Sequence, residues 1–321
     1  MEAESTAGWR GPILDAHQHF WDPFANPHPW LAPGAAIPFR YGDYAALKRR
    51  YLPEDYRRDT AGHDVRESVY IEAEWSPEDP LGETRYVAGL AARHGLPNAI
   101  VAQAWLDHPD VAEVLAHQAA FPLVRAVRHK PGGPASPAEL GTGRTLMSSG
   151  NWRRGYELLA RHGLHFELQT PWWNLPEAVD LARTFPTIPL VLNHAGLPAD
   201  RSEAGLRGWR AAMVAFAECP NARVKISGLG RPGRPWTVED NRWIVREIIA
   251  IFGPGRAMFA SNFPVDGLCA SFDTIYSGFK AMVADLPEPA QAMLFHDTAR
   301  QIYRPQRLAP GPMVEEGDLA P

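Results

Sequence analysis

Short apolar runs recur along this chain, and longer segments with helical periodicity separate them. That alternation is typical of parallel strands joined by crossover helices. The runs carry few polar residues, as expected for parallel strands that are covered on both faces. We predict eight strands, at Pro12–Phe20, Ser68–Glu72, Ala99–Ala104, Leu123–Arg128, Leu164–Gln169, Pro189–Asn193, Ala222–Ser227 and Ala257–Ser261.

Eight alternating units favour a closed barrel over an open doubly wound sheet, which usually has fewer strands. No glycine-rich phosphate loop follows the first run, and the motif G-x-x-x-x-G-K-[ST] is absent from the sequence. The fold class is therefore predicted as α/β, a (β/α)8 TIM barrel with long capping loops at the carboxyl-terminal face of the strands.

A length of 321 residues suits one such barrel. We expect a single domain over residues 1–304, of which residues 1–11 are flexible, and a tail rich in Pro, Gly and acids over residues 305–321. Two long segments, Trp21–Gly62 and Lys130–Gly150, follow the first and fourth strands. Both are expected to cover the barrel mouth.

The composition disfavours several partners. The formal net charge is only -5 and no block of like charges occurs, so neither nucleic acid nor a membrane surface is expected as a partner. A small-molecule substrate is expected instead. There are 2 cysteines, and neither a secretory signal nor an apolar segment of membrane-spanning length is present. These features predict a cytoplasmic protein, and they leave homo-oligomerisation open.

His17 and His19 lie at the end of the first predicted strand. Residues two apart in a strand point to the same side, so both imidazoles are expected to face the barrel interior near its mouth. A hydrogen-bonded structural pair is the alternative. Active sites of such barrels lie at the carboxyl ends of the strands, which favours a catalytic interpretation.

The carboxyl ends of the other predicted strands also carry polar side chains. Gathering so many polar groups at one end of a barrel costs free energy of desolvation, which favours a functional role for them. They are Glu72, Glu74, Arg128, His129, Glu167, Gln169, Asn193, His194, Lys225, Ser227, Ser261, Asn262 and Asp266.

Three motifs stand out: Asp15-Ala16-His17-Gln18-His19-Phe20-Trp21-Asp22, then Asn193-His194-Ala195-Gly196, and Met258-Phe259-Ala260-Ser261-Asn262-Phe263-Pro264. Together they resemble the amidohydrolase-2 branch of the amidohydrolase superfamily, and within it the sugar-lactone and pyrone-dicarboxylate lactonases. The resemblance implies a barrel that hydrolyses a lactone or related carbonyl compound. It places His17, His19 and His194 in the site, and Arg128 resembles a position that holds the carboxylate or carbonyl of the substrate.

One position departs from the pattern of that family. Most members carry an aspartate at the end of strand eight, where this chain has Asn262. An asparagine amide cannot accept a proton at useful pH, so another base is required. Asp266 is the first candidate for this base, and Asp22, just beyond strand one, is the second.

The three histidines leave two possibilities for a metal. Histidines at two-residue spacing suit zinc, and His194 could add a third nitrogen to His17 and His19 and leave a position for water. The family also contains metal-free lactonases, and Asn262 removes charge that would neutralise a divalent ion. We expect no required cofactor, with one Zn²⁺ as the alternative. Without metal, His17, His19 and Arg128 would donate hydrogen bonds to the carbonyl oxygen as it gains negative charge.

Trp21, Gln169, Trp173 and Lys225 are the expected substrate contacts. Gln169 and Lys225 lie at the ends of predicted strands, and the tryptophans lie on loops that follow strands one and five. An aromatic wall could hold a ring or a sugar face, although simple packing of the loops is the alternative. Its other members would be Trp30, Trp75 and Trp172.

These features predict a hydrolase in which water attacks the carbonyl of a small lactone or related carboxylic ester. A metal-dependent decarboxylase of an aromatic or unsaturated acid is one alternative, because another group in the same branch uses the same barrel ends. A non-catalytic barrel, in which Asn262 records lost activity, is the other.

Overall fold

Eight parallel strands form one sheet, and each strand pairs with the next in sequence order. The computed structural model describes residues 8–140 and 143–308. Within them the sheet curls into the predicted (β/α)8 TIM barrel, which confirms the fold class. The strands are β1 (Ile13–Gln18), β2 (Val65–Ile71), β3 (Ala99–Gln103), β4 (Val124–Arg128), β5 (His165–Leu168), β6 (Leu190–Leu192), β7 (Ala222–Ile226) and β8 (Ala257–Phe259).

Helices cover the outside of the barrel and connect successive strands. A π-helical turn at Met293–Asp297 joins the last two. None of the helices in the described ranges is long and apolar enough to cross a membrane. The helices are α1 (Pro53–Thr60), α2 (Gly82–His94), α3 (Val111–Ala120), α4 (Gly150–Leu158), α5 (Leu175–Thr184), α6 (Glu203–Ala217), α7 (Val238–Phe252), α8 (Phe272–Val283), α9 (Glu288–Ala292) and α10 (Thr298–Tyr303).

Local sequence determines where several of these helices begin. The hydroxyl of Thr237, which directly precedes α7, accepts a hydrogen bond from the backbone N–H of Asp240. Ser271 caps α8 in the same way. Such caps satisfy one of the N–H groups that a first helical turn leaves unpaired. Buried residues at three- and four-residue spacing, such as Ile244 and Ile248, then turn one face of α7 toward the sheet.

The core has two layers. The larger layer fills the space between the sheet and the helices, and the smaller one fills the barrel interior. Leu14, Val101 and Met258 belong to the interior layer, together with Tyr303 of α10. The interior layer fills the barrel below the strand ends, so a pocket of the kind predicted from the sequence is expected at the carboxyl-terminal face of the strands.

Most strands are shorter than predicted at the mouth. All except β4 end one or two residues before the predicted limit. Of the residues that follow, His19, Glu72 and Gln169 line cavities at the mouth instead of continuing the sheet. β2 differs at its other end, since it begins at Val65 rather than Ser68. Of the three extra residues, Arg66 and Glu67 are polar, so they do not belong to an apolar run.

The two ends of the described part of the chain lie near the bottom of the barrel. Trp9, in the segment expected to be flexible, stacks on Phe295 with ring centroids 6.0 Å apart, so this part of the segment is packed. In the expected tail, the backbone N–H of Gln306 donates to the carbonyl of Asn98. Residues 1–7 and 309–321 lie outside the described residues.

Helix α4 packs closely against the loop that follows β3, and this contact predicts a cost for one added methyl group. A Cβ at Gly155 would lie 1.9 Å from the carbonyl oxygen of Leu106. We expect Gly155→Ala to lower the free energy of unfolding by about 3 kcal/mol, because the backbones must separate. Urea denaturation measures the change.

Gly150→Ala in the same helix is the matched control. Its Cβ would meet only the end of the Arg154 side chain at 3.6 Å. The change in unfolding free energy should therefore be small, or favour the folded state by about 0.5 kcal/mol. Equal destabilisation by the two substitutions would contradict the close approach at Gly155.

Candidate active site

His17 and His19 both face the barrel interior because β1 contains a register shift. Between Asp15 and Gln18, three steps along β1 correspond to two steps along β2. Ala16 already lies in the interior apolar cluster, so strict alternation would turn His17 outward. The irregularity places His17 on the same side as Ala16, and His19 follows two residues later. The predicted orientation is correct, but it depends on this bulge.

The two imidazoles form a chain of hydrogen bonds. Nδ1 of His19 lies 2.7 Å from the carbonyl oxygen of Ile71, which can only accept, so this nitrogen carries the proton. Nε2 of a neutral His19 is then an acceptor. It lies 3.2 Å from Nε2 of His17, which becomes the donor. Nδ1 of His17 is buried and has no hydrogen-bond partner within the described ranges.

His194 completes the cluster from the opposite side of the barrel. It follows β6 in a tight turn with a left-handed backbone, φ 52° at His194 and 55° at Ala195. Its ring centroid lies 4.6 Å from that of His17. Nδ1 of His194 lies 2.9 Å from Oγ of Ser227, which leaves Nε2 as the nitrogen available to the pocket.

All three histidines are held in the neutral form. Burial lowers the pKa of His17 and of His194 well below the ordinary value. The cations Lys225 and Arg128 lower both further, because each charge opposes protonation of a nearby ring. For His19, burial and then Arg128 lower the pKa to about 3. The site therefore contains uncharged imidazoles at physiological pH.

Arg128 lies at the end of β4 and is buried in a network of its own. Its Nε donates to the carboxylate of Glu72, and one Nη donates to the backbone carbonyl of the same residue. The other Nη donates to Oε1 of Gln169 at 3.0 Å. A guanidinium has five N–H donors, so two remain for a ligand.

Asn262 and Asp266 form a second network at the end of β8. Oδ1 of Asp266 accepts from the amide of Asn262 at 2.6 Å, from Tyr41 at 2.9 Å and from Arg40 at 3.1 Å. Oδ2 accepts from the backbone N–H of Gly228 at 2.9 Å. Burial raises the pKa of Asp266, and Arg40 and the hydrogen bonds oppose that rise.

A cavity of about 260 Å³ opens at the mouth beside these groups. Its lining joins polar residues from the strand ends to aromatic and apolar residues from the segment between β1 and β2, as expected for a capping loop. The lining residues are His19, Trp21, Trp30, Ile37, Pro38, Phe39, Arg40, Ala73, Glu74, Arg128, Lys130, Gln169, His194, Leu197, Asn262 and Val265.

The structure does not bring either candidate base into this cavity. Asp266 lies behind Asn262 and its oxygens are already hydrogen-bonded, so Asn262, not Asp266, faces the cavity. Asp22 accepts from the backbone N–H of Phe24 at 3.1 Å and shapes a turn outside the lining. A direct role for either carboxylate as the base would need a rearrangement.

The predicted substrate contacts divide into two groups. Trp21 and Gln169 line the cavity, whereas Trp173 and Lys225 do not. The indole N–H of Trp173 donates to the carbonyl of Pro134 at 2.8 Å, which turns this ring toward the segment after β4. Beyond Lys130 that segment lines a separate cavity with Trp173, rather than the mouth at His19.

Lys225 lies deeper in the barrel than a substrate contact would. Its Nζ is 2.9 Å from a carboxylate oxygen of Glu167, and both side chains are fully buried. Nζ also lies 5.1 Å from the ring centroid of Tyr303. Although burial alone would raise the pKa of Glu167, Lys225 lowers it to about 2. The pair forms a charged layer beneath the histidines, so Lys225 acts on the site through its field.

Two charged residues of the cavity were not anticipated. Arg40 lies within the capping loop, where no sequence pattern distinguishes it from other arginines. Lys130 lies two residues beyond Arg128, so strand alternation could have indicated it. Its amine pairs with the carboxylate of Glu74, which also lines the cavity and has a left-handed backbone with φ 61°.

The segment after β7 contains Gly228, Gly230 and Gly233 at the spacing G-x-G-x-x-G. It does not follow the first strand, and α7 begins only at Val238. Gly228 has φ 65°, and a Cβ there would lie 2.8 Å from Arg40. This glycine therefore permits close packing of the capping loop and gives no evidence of a phosphate site.

Comparison with known proteins identifies the family of this chain. A family model described as amidohydrolase matches residues 14–304. The chain belongs to the amidohydrolase family. This amidohydrolase is 39% identical over 297 residues to the uncharacterized protein y4mH of Sinorhizobium fredii, a match that covers 91% of this chain and 98% of that protein. It is 28% identical over 311 residues to an L-fucono-1,5-lactonase of Burkholderia multivorans, over 88% of this chain and 98% of that enzyme.

Solved structures agree with this assignment. An amidohydrolase from Burkholderia multivorans, with bound HEPES, superposes with a TM-score of 0.76 at 26% identity over 92% of this chain and 100% of that chain. A crystal of the same target with bound zinc gives a TM-score of 0.75. A 2,6-dihydroxybenzoate decarboxylase, 16% identical over 91% of this chain and 99% of that chain with a TM-score of 0.60, shares the fold.

The residues of this amidohydrolase do not fit a zinc centre of three or more ligands. The separation of 3.2 Å between the His17 and His19 nitrogens is close to the ~3.3 Å that two ligands of one tetrahedral zinc would show. Within the described ranges, however, no group of three or more His, Cys, Asp or Glu side chains is placed to hold a metal. The expected carboxylate is Asn262, and Asp266 is committed to other donors.

The neutral histidines predict how stability depends on pH. Because the unfolded chain binds protons near a pKa of about 6.5 and the folded site does not, the unfolding free energy should fall as pH decreases below that value. Each such histidine contributes at most about 1.4 kcal/mol per pH unit to the slope of the unfolding free energy against pH. Urea denaturation between pH 7 and pH 5 measures the slope. In His19→Asn the slope should be smaller by about one proton, and an unchanged slope would contradict the low pKa of His19.

The pair Asn262 and Asp266 predicts how a metal site could be created. In the double variant Asn262→Asp/Asp266→Asn, the amide and the carboxylate exchange places, and a carboxylate then lies beside His17 and His19. We expect about one zinc per chain in this variant, by elemental analysis after zinc loading and dialysis, and far less in the wild type. Asp266→Asn alone, which adds no carboxylate to the cavity, is the control. Stoichiometric zinc in the wild type would refute the conclusion that its site residues do not fit a zinc centre.

Proposed function

We propose that this amidohydrolase hydrolyses a small, uncharged lactone without needing a metal. The observation that carries the proposal is the pairing of charges around the cavity. Arg40 pairs with Asp266, Arg128 with Glu72 and Lys130 with Glu74. An anionic substrate would need a cation that is not already neutralised, whereas an uncharged ring needs only directed hydrogen bonds and apolar walls.

The relatives support the same substrate class. Two of them, 28% and 26% identical to this chain, are named L-fucono-1,5-lactonase, and such a substrate is an uncharged, hydroxylated ring. The aromatic walls of the cavity, Trp21 and Trp30 among them, suit the apolar face of such a ring.

In the proposed mechanism Arg128 polarises the lactone. Its two uncommitted N–H donors bind the carbonyl oxygen and stabilise the negative charge that develops on it. Glu72 and Gln169 hold the guanidinium in place, so no reorganisation is required during the reaction. Burial of the Arg128–Glu72 pair strengthens these interactions.

His194 is the proposed base in place of a carboxylate. Its Nε2 accepts a proton from the attacking water, and Ser227 fixes the ring through Nδ1. The water oxygen bonds to the carbonyl carbon, the ring C–O bond breaks, and the proton passes to the leaving oxygen. The product is a hydroxy acid, which releases one proton to the solvent. Asn262 orients the water, and Asp266 acts only by holding that amide.

A lactone panel followed with a pH indicator tests the proposal. L-fucono-1,5-lactone and D-glucono-1,5-lactone represent uncharged rings, and 2-pyrone-4,6-dicarboxylate represents a charged one. We expect kcat/KM to be at least about tenfold higher for an uncharged ring, which corresponds to about 1.4 kcal/mol. Activity should persist after dialysis against a chelator. A preference for the dicarboxylate, or release of carbon dioxide from 2,6-dihydroxybenzoate, would refute the proposal.

Variants of the proposed base make the same test specific. His194→Asn should lower kcat by about 10² or more with little change in KM, because general base catalysis contributes about 10² to 10⁴ in rate. Asp266→Asn should lower kcat much less, since Asp266 does not touch the substrate in this mechanism. The opposite order of effects would assign the base to Asp266.

A further inference from the structure

A second cavity adjoins the proposed catalytic cavity. It has a volume of about 480 Å³ and lies on the side of β3 and β4. The two cavities share several lining residues, so they lie side by side at the barrel mouth. The shared residues are Trp30, Ile37, Glu74, Arg128 and Lys130.

Gln103, the last residue of β3, provides the strongest sign of a ligand. Its side chain lines the second cavity and is only 8% exposed. The amide makes no hydrogen bond to any residue in the described ranges, and its oxygen is inaccessible in the current arrangement. Buried amides are almost always hydrogen-bonded, and an unpaired one costs about 1–3 kcal/mol. A bound molecule that both donates and accepts would satisfy Gln103 after a simple rotation of the amide.

His129 adds a donor whose direction is fixed by its neighbours. Its Nδ1 accepts from the backbone N–H of Leu106 at 3.1 Å and from the indole N–H of Trp152 at 3.0 Å. Because both partners can only donate, the proton of a neutral ring must lie on Nε2. Burial lowers the pKa of His129, which keeps the ring neutral. His129 lines the second cavity, and in the described part of the chain nothing accepts from Nε2.

The rest of the lining is aromatic and electrically balanced. Trp75 and Trp105 contribute indole rings. The two carboxylates of the cavity are paired with its two cations, Glu72 with Arg128 and Glu74 with Lys130. Such a lining offers neutral hydrogen-bonding groups beside flat apolar surfaces. That combination suits a hydroxylated, uncharged molecule better than an ion.

We propose that the second cavity is a subsite for a neutral, hydroxylated extension of the substrate, such as a sugar unit attached to the lactone ring. Hydroxyl groups both donate and accept, so those of such a unit can satisfy the amide of Gln103 and the Nε2–H of His129. The C–H face of a sugar ring packs against the tryptophans. This subsite rests on the proposed function, because it assumes a lactone in the first cavity.

Two lactones that differ by one sugar unit provide the test. D-glucono-1,5-lactone fills the first cavity alone, and the lactone of lactobionic acid carries an additional galactosyl group. In Gln103→Leu, which conserves size but removes the amide, kcat/KM for the larger lactone should fall about tenfold, the effect of one hydrogen bond worth about 1.4 kcal/mol. The value for the smaller lactone should change by less than about twofold.

Gln291→Leu is the matched control. Gln291 lies in α9, is also 8% exposed, and has a carbonyl oxygen without a hydrogen-bond partner in the described part of the chain. It lines neither cavity, so both lactones should react as in the wild type. Equal losses for both lactones in Gln103→Leu, or no loss for either, would overturn the subsite.

Failure of the proposed function is distinguishable from failure of the subsite. If the wild type hydrolyses neither lactone, the lactonase proposal fails. Calorimetric titration with lactose, a neutral disaccharide, then tests separately whether the second cavity binds a sugar. Binding by the wild type that weakens about tenfold in Gln103→Leu would support the subsite, and absence of binding by the wild type would overturn it.

Discussion

The carboxylate of Asp15 holds together the two edges of the barrel on which the site depends. In the described part of the chain no ladder pairs β1 with β8, and an isolated bridge joins Gln18 to Phe263, just beyond β8. Asp15 joins them by accepting from the backbone N–H and the hydroxyl of Ser261, and also from Tyr56 of α1 and Tyr276 of α8. Burial raises its pKa, and these hydrogen bonds oppose the rise. Removal of this carboxylate would leave several buried donors without a hydrogen-bond partner. The free energy needed to separate β1 from β8, which we call the seam of the barrel, is therefore larger than the few backbone contacts between them suggest.

The same seam determines the geometry of the site. The register shift of β1 that turns His17 inward beside His19 follows directly after Asp15. The carbonyl of His17 accepts from the backbone N–H of Asn262 at 2.8 Å. The residue that replaces the expected aspartate is therefore fixed relative to the histidines by backbone, whatever its side chain. Its left-handed conformation, φ 55°, is one that asparagine adopts more readily than most residues.

The sequence predicted the strands and the histidines well because both produce regular signals. Apolar runs mark parallel strands, and the ends of those runs located Arg128, Gln169, His194 and Asn262 at the mouth. Side-chain direction was less predictable. Lys225 also ends a strand, yet it turns toward Glu167 beneath the site, because a buried charge takes the nearest opposite charge. Arg40 could not be found at all, since its position depends on how an irregular loop folds back over the barrel. The direction of the Trp173 ring was unpredictable for a related reason. One hydrogen bond to the carbonyl of Pro134 turns it away from the first cavity.

The contact between that loop and β8 connects substrate choice with the chemistry. Arg40 and Tyr41, on the loop that covers the cavity, donate to the same oxygen of Asp266 that accepts from the amide of Asn262. A carboxylate at position 262 would place two negative groups at this short distance and would lose the amide donor. The amide is therefore the form of residue 262 that the capping loop requires. In this chain the negative charge at the end of β8 fastens the loop. In the proposed mechanism the neutral His194 therefore takes the place of a carboxylate as the base, and Arg128 stabilises the developing charge through hydrogen bonds.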